Sequence, residues 1–152
     1  MKKYELTDET IEVYGTALHR IKALKDFGNV KKGEPGGYVE SEHNLSQEGD
    51  CWVYDNARVF GNAEVCGNAE VCGNAEVCGN ADYITIKGLG SKYRNTTIFR
   101  TKENIAVKCG CFYGTLAEFV DKVKETHGNS KFAKEYFALI DLVKIHFELE
   151  DK

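Results

Sequence analysis

"GNAEVCGNAEVCGNAEVC", residues 61–78, is one six-residue unit written three times without a change. Aligned at period six, the pattern extends further in both directions. Val53, Val59, Val65, Val71, Val77 and Tyr83 fall in one column, and Cys51, Ala57, Ala63, Ala69, Ala75 and Ala81 fall in a second. One column is branched or aromatic and the other is small. Between them stand Asp55-Asn56 and the Gly-Asn pairs from Gly61-Asn62 to Gly79-Asn80, residues that tolerate positive φ and so permit a corner in each unit. A corner every six residues predicts a coiling sheet. Val39 and Leu45 continue the small-residue column upstream at the same spacing, so imperfect coils are expected before residue 49.

The pattern resembles the hexapeptide-repeat, left-handed β-helix family, whose units turn an aliphatic residue inward and place a small residue near each corner, three units to a triangular coil. The resemblance covers residues 49–84 and implies two full coils stacked like neighbouring strands, about 4.8 Å apart. Each residue would then lie over the one eighteen positions later, Val53 on Val71, Val59 on Val77, Asn56 on Asn74 and Asn62 on Asn80. Cys66, Cys72 and Cys78 each follow an inward valine and so point outward, on three different faces. Faces roughly 15–20 Å wide keep them apart, whereas thiolates sharing a zinc lie within about 4 Å of one another. They are expected to be small outward packing residues, and no metal is expected.

The flanks read differently. TALHRIKAL, residues 16–24, alternates as a strand does, and Tyr4 to Leu6 is expected to pair with Ile11 to Tyr14 around TDET. Residues 1–48 therefore read as an N-terminal β cap with degenerate rungs, and 49–84 as the repeat. Residues 85–111 read as a linker loosened by Gly88 and Gly90, then a hairpin in which TTIFRT and IAVKCGC flank Lys102 to Asn104. On that hairpin Phe99, Val107, Cys109 and Cys111 are expected to share a face, with the two cysteines as buried thiols. Residues 112–152 read as a helical hairpin. Thr115 and Glu118 make a capping box, Gly128 ends the first helix, and Asn129 or Ser130 starts the second. Leu142 and Ile145 give that second helix apolar residues beyond one stripe, which points to burial against a partner. The fold class expected is mainly β with C-terminal helices, α+β, in a single integrated domain over residues 1–152.

Composition narrows the function. The chain of 152 residues is 42% hydrophobic with a formal charge of −4 and a pI near 5.6. Only four of its residues are arginine. Long-range attraction to nucleic acid or anionic lipid is not favoured, and any anion must be bound locally. MKKYELTDET is charged and lacks the apolar run of a signal peptide, and no stretch approaches the roughly 20 apolar residues that span a bilayer. A cytoplasmic protein with reduced thiols is expected.

The layout "RIKALKDFG…GGYV", then "DNARVFGNAEV" repeats, then "CGCFYGTLAEF…THG" is similar to small proteins encoded by phages and prophages. That resemblance implies a host-cytoplasmic setting and a non-enzymatic anti-defence role, sequestering a small anionic, nucleotide-like signal or blocking a host defence protein. Two other readings stand beside it. One is a self-assembling β-helix scaffold, and the other is a hexapeptide acyltransferase, whose members use a histidine base. Residues 49–84 contain no histidine, and His43, His127 and His146 lie outside them. A homo-oligomer is expected, a trimer favoured by the repeat family, because two coils expose open ends and flat faces. No cofactor is expected. With Arg100 opposite Ala106, one hairpin face would carry Arg94, Arg100 and Lys108, with Lys102 at the tip and Tyr113 as a stacking surface. Two guanidinium groups there could grip phosphate in bidentate fashion.

Overall fold

The computed structural model describes residues 2–149, and the chain is mainly β with two C-terminal helices, an α+β arrangement. In chain order the strands are β1 (Tyr4–Val13), β2 (Thr16–Ala23), β3 (Pro35–Val39), β4 (Trp52–Val53), β5 (Arg58–Val59), β6 (Glu70–Val71) and β7 (Glu76–Val77). They are followed by β8 (Tyr83–Leu89), β9 (Arg94–Arg100), β10 (Ile105–Cys109) and β11 (Phe112–Thr115), then α1 (Leu116–His127) and α2 (Lys131–His146).

The repeat stacks as its period requires. β4 lies parallel to β6 with Val53 opposite Val71, and β5 lies parallel to β7 with Val59 opposite Val77, both eighteen residues apart. A third parallel bridge joins Leu45 to Val65, and Val39 lies opposite Val59. Backbone bonds hold these short pairs, such as Tyr54 N to Val71 O at 2.7 Å and Phe60 N to Val77 O at 2.9 Å. The valine column, together with Val39 and Leu45, is fully buried in one cluster. Val39 and Leu45 thus belong to the valine column and not to the small-residue column, because eight residues separate Leu45 from Val53 where six would be regular.

The extra length before Val53 is absorbed in an irregular corner built around Asn44. Its buried side chain accepts from Glu40 N and Ser41 N and donates to Gly61 O and Ala63 O, at 2.9–3.2 Å. All of its amide capacity is used, as burial demands. The regular corners depend on positive φ at Asp55, Gly61, Gly67 and Gly73, at 57–68°. Gly79 departs from that conformation, and there the chain leaves the coil through a short 3-10 turn, Asn80–Asp82. Asp82 Oδ2 caps the exit by accepting from Cys78 N at 3.0 Å and Gly79 N at 3.1 Å.

The sheets are several and mixed. One runs β1-β2-β3-β5-β7, antiparallel at its outer end and parallel where it joins the repeat. β1 is one continuous strand paired with β2, with a bulge between Leu6 and Thr10, so TDET is not a turn and Tyr4 to Leu6 does not pair with Ile11 to Tyr14. A Cβ at Gly37 would stand 2.5 Å from Ala57 O, so only glycine lets β3 lie this close to the coil. Trp52, buried under Tyr4 and Phe27 in edge-to-face contacts at 6.0 and 5.2 Å, closes the junction between cap and repeat.

The second sheet is the meander β11-β10-β9-β8, and β8 crosses the boundary expected at residue 85 with a bulge at Gly88. One face, with Phe99 and Ala106, joins the coil's core, while the other, with Ile98, Ile105 and Val107, joins the helices. Three layers result: coil, sheet, helix pair. Thr97 Oγ1 accepts from Glu70 N at 3.0 Å and ties the first two layers together. The capping box is present, with Glu118 N donating to Thr115 Oγ1 and Thr115 N to Glu118 Oε1. Ser130 caps α2.

Candidate functional site

The register of β9 and β10 decides where the candidate side chains go. Arg100 lies opposite Ile105, and Lys108 opposite Thr97. The expected pairing of Arg100 with Ala106 is one residue out, and a one-residue slip sends every side chain to the other face. The cause is local. Asn104 N donates to Thr101 Oγ1 at 3.0 Å and Thr101 Oγ1 to Asn104 Oδ1 at 2.8 Å, which draws Asn104 out of the turn and shortens it to Lys102 and Glu103. Arg94 and Arg100 therefore share the helix-facing side with Ile98, Val107 and Cys109. Lys108 and Phe99 occupy the coil-facing side, so Phe99 does not share a face with Val107 and Cys109. Cys111 lies beyond the strand end at the turn into β11 and is exposed, whereas Cys109 is half-buried.

The five expected ligand residues separate into four places. Arg100 donates from Nε to Asp82 Oδ1 at 3.0 Å, and its guanidinium lies 4.9 Å from the Phe147 ring centre. It is a clamp among the coil exit, the sheet and the end of α2. Lys108 is turned toward Glu70, at 4.0 Å, and donates to Gly110 O. Burial pushes the Glu70 carboxyl up from its ordinary range, and Lys108 opposes that shift in part. Lys102 and Tyr113 line a polar groove of about 620 Å³ between the hairpin tip and the coil, with Arg58, Asn74, Glu76 and Glu118. Charges of both signs meet there, Arg58 and Lys102 against Glu76, Glu103 and Glu118, and Tyr113 stacks on Phe99 with ring centres 6.4 Å apart.

Arg94 stands elsewhere, at the mouth of a cavity of about 280 Å³ between the second sheet and the helices. Phe112, Phe119, Val123, Tyr136 and Cys109 form its walls, and Lys92, Arg94, Lys122 and His127 surround them. The aromatic rings are mutually braced. Phe119 meets Phe112 at 5.4 Å and Tyr136 edge-on at 5.5 Å, and His127 stacks on Tyr136 at 5.7 Å. The Tyr136 hydroxyl donates to Leu89 O at 3.3 Å, and burial raises its pKa, so it stays protonated. Among the described residues no carboxylate lines this cavity or pairs with Lys92, Arg94 or Lys122. In a chain with 24 acidic and 20 basic residues, that local excess of positive charge is a departure from the average.

Gly110 holds the arrangement open. Its φ is +58°, and the Arg94 guanidinium occupies the place where a Cβ would stand. The glycine of Cys-Gly-Cys thus seats Arg94 across the β10-β11 turn. From the sequence Lys122 receives no role and His127 is placed only as a histidine outside the repeat, although both flank the α1 stripe of Phe119 and Val123 at helical spacing. Basic residues bordering an apolar stripe were the available signal. Tyr136 gave none, since an aromatic residue on an apolar helix face reads as core.

The cysteines of the repeat do not converge. Cys66 and Cys78 are exposed, beside Tyr83 and Asp82 respectively, and Cys72 is buried against the second sheet. Burial pushes the Cys72 thiol up to about 12. Among the described residues no cluster of three metal-ligating side chains occurs, and no helix is long and apolar enough to cross a membrane.

No protein-family model matches the chain. A stretch of 63 residues is 40% identical to a protein of Escherichia coli (strain K12) named "Uncharacterized acetyltransferase YdcK", covering 36% of this chain and 19% of that protein. The match supports a hexapeptide-repeat type of protein and extends over less than a fifth of the relative's length.

Proposed function

We propose that the protein is a non-enzymatic binding protein that captures a small anionic, nucleotide-like ligand in the cavity at Arg94. The observation that carries this reading is the cavity's composition: apolar and aromatic walls, three cationic side chains and no carboxylate. An apolar pocket with a few converging charged groups is the usual form of a small-ligand site. Arg94 and Lys122 supply charge-assisted bonds, and a planar guanidinium suits phosphate and carboxylate alike. In this reading the repeat is a short left-handed β-helix that serves as a rigid base for the sheet. The protein works as a homo-oligomer, with a trimer favoured. Leu142 and Ile145, 51% and 76% exposed on the outer side of α2, support a covered surface there. The setting is that of a phage-type anti-defence factor that withdraws a nucleotide signal in the host cytoplasm.

Calorimetric titration against a panel of nucleoside phosphates tests the reading. Arg94→Ala should weaken binding by about 1.5–3 kcal/mol, the range for hydrogen bonds to charged groups. Arg100→Ala should leave affinity unchanged, because Arg100 is committed to Asp82. Equal binding by wild type and Arg94→Ala would refute it. A second reading, an acyltransferase, is favoured by the printed name of the Escherichia coli relative. Turnover of acetyl-coenzyme A by the purified protein would establish it in place of the first.

A further inference from the structure

The geometry points to a ligand with one planar ring system and one anionic group, of mononucleotide or aryl phosphate size, its ring seated among Phe112, Phe119 and Tyr136 and its anion at Arg94 and Lys122. This rests on the reading of the cavity as an anion site and goes further by fixing what the rest of the ligand must be. The walls carry aromatic faces and Val123, whereas the cations stand at exposed positions around them. A bare inorganic anion would keep its water at the mouth and leave the apolar walls unused. Phe119, Val123 and Tyr136 are already nearly buried, so a ring that enters covers chiefly the partly exposed Phe112 and gains the offset and edge-on contacts that aromatic groups favour. The cations at the mouth then meet an anion that stays partly hydrated.

Size sets the upper limit. An apolar cavity of roughly 150 Å³ holds one benzene, and this one measures about 280 Å³. That volume admits one bicyclic base or one aryl ring with its head group, and it does not admit two nucleobases. Its back wall is fixed, because Tyr136 is anchored to Leu89 O and Gly90 N is held by Glu135 Oε1 at 3.0 Å. A side chain at Gly90 would collide with the Tyr136 hydroxyl, so the wall and the β8-β9 turn move together or not at all.

The test titrates the full chain with four probes: inorganic phosphate, phenyl phosphate, adenosine 5′-monophosphate and a cyclic dinucleotide. Phenyl phosphate and the mononucleotide should bind at least tenfold more tightly than inorganic phosphate, and the cyclic dinucleotide more weakly than the mononucleotide. Phe112→Leu should remove most of the advantage of phenyl phosphate over inorganic phosphate. Phe112 is only partly buried, so this variant keeps the fold where a change at buried Phe119 need not. Equal binding of inorganic and phenyl phosphate would overturn the ring site while leaving an anion site intact. Tightest binding of the cyclic dinucleotide would overturn the size limit, and failure of all four probes would remove the anion-site reading itself.

Discussion

Replacing Val71 by Asp places a carboxyl in the column that Val53 and Val71 share, at a position with no solvent exposure. Two costs add. The branched side chain gives up two methyl groups of burial, about 1.6 kcal/mol at about 0.8 kcal/mol each. The carboxyl has no partner in an apolar column, so it is driven to the neutral form. Holding it neutral at pH 7 against an ordinary pKa near 3.9 costs about 4.2 kcal/mol, from about 1.36 kcal/mol per pH unit. The sum approaches 6 kcal/mol, comparable to the whole stability of many domains. Val71→Asp should therefore be largely unfolded at pH 7. The sign of its pH dependence follows. A folded-state pKa raised above the unfolded value gives a penalty that is absent below about pH 4 and grows by about 1.4 kcal/mol per unit above it. Denaturation followed by circular dichroism should show Val71→Asp gaining stability relative to wild type as pH falls from 7 to 4. Val71→Ala should lose about 2–3 kcal/mol at either pH, counting the cavity left behind. That corresponds to a drop in Tm of roughly 4–12 °C at about 2–4 °C per kcal/mol. A Val71→Asp protein that melts within two degrees of wild type at pH 7, or whose deficit does not change with pH, would refute the inward column.

Asn44→Ala should destabilise by about 2–4 kcal/mol, since it leaves the buried Ala63 carbonyl, the Gly61 carbonyl and the Ser41 amide without that partner, while Glu40 N keeps Val59 O; a change below about 0.5 kcal/mol by urea titration would contradict this. Arg100→Ala should cost only about 1 kcal/mol, because its ion pair with Asp82 is half-exposed, and calorimetry would reveal a larger loss if the clamp is stronger. At pH 8 a thiol reagent should modify the exposed Cys66 and Cys111 first, then Cys78, whose thiol is pushed up by burial and by Asp82, and spare Cys72, which is buried as well as raised. Mass spectrometry showing early labelling of Cys72 would contradict its place under the second sheet. Glu70→Gln should stabilise at pH 7 and have no such effect below pH 4, because a carboxyl with a raised folded pKa costs stability only where it ionises. An equal effect at both pH values in denaturant titrations would count against the burial of Glu70.

The regular part of the fold was legible because its signal repeats. Each valine from Val53 to Val77 reinforces the same phase, and the stacking of Val53 on Val71 follows from three corners of six residues. The capping box at Thr115 and the stop at Gly128 were equally plain, being local chemistry. Where the period broke, phase was lost. Counting back from Cys51 in sixes put Val39 and Leu45 in the wrong column, since the extra residues around Asn44 leave no periodic trace. The hairpin failed for a related reason. Its face assignment hung on one turn length, and two side chains, Thr101 and Asn104, set that length. Of the five residues expected to bind an anion, only Arg94 reaches the cationic cavity. Its neighbours Lys122 and His127 come from α1, and the approach of α1 to β9 is a tertiary fact with no mark in either segment.

A chemical-shift map of the ¹⁵N-labelled protein titrated with a nucleoside monophosphate tests the central claim most directly, because it asks which of the two cavities the ligand enters. The account predicts shifts concentrated at Lys92 to Arg94, Cys109 to Phe112 and Phe119 to His127, around the cationic cavity. Shifts confined instead to Arg58, Asn74 to Glu76 and Thr101 to Asn104, in the polar groove, would contradict it.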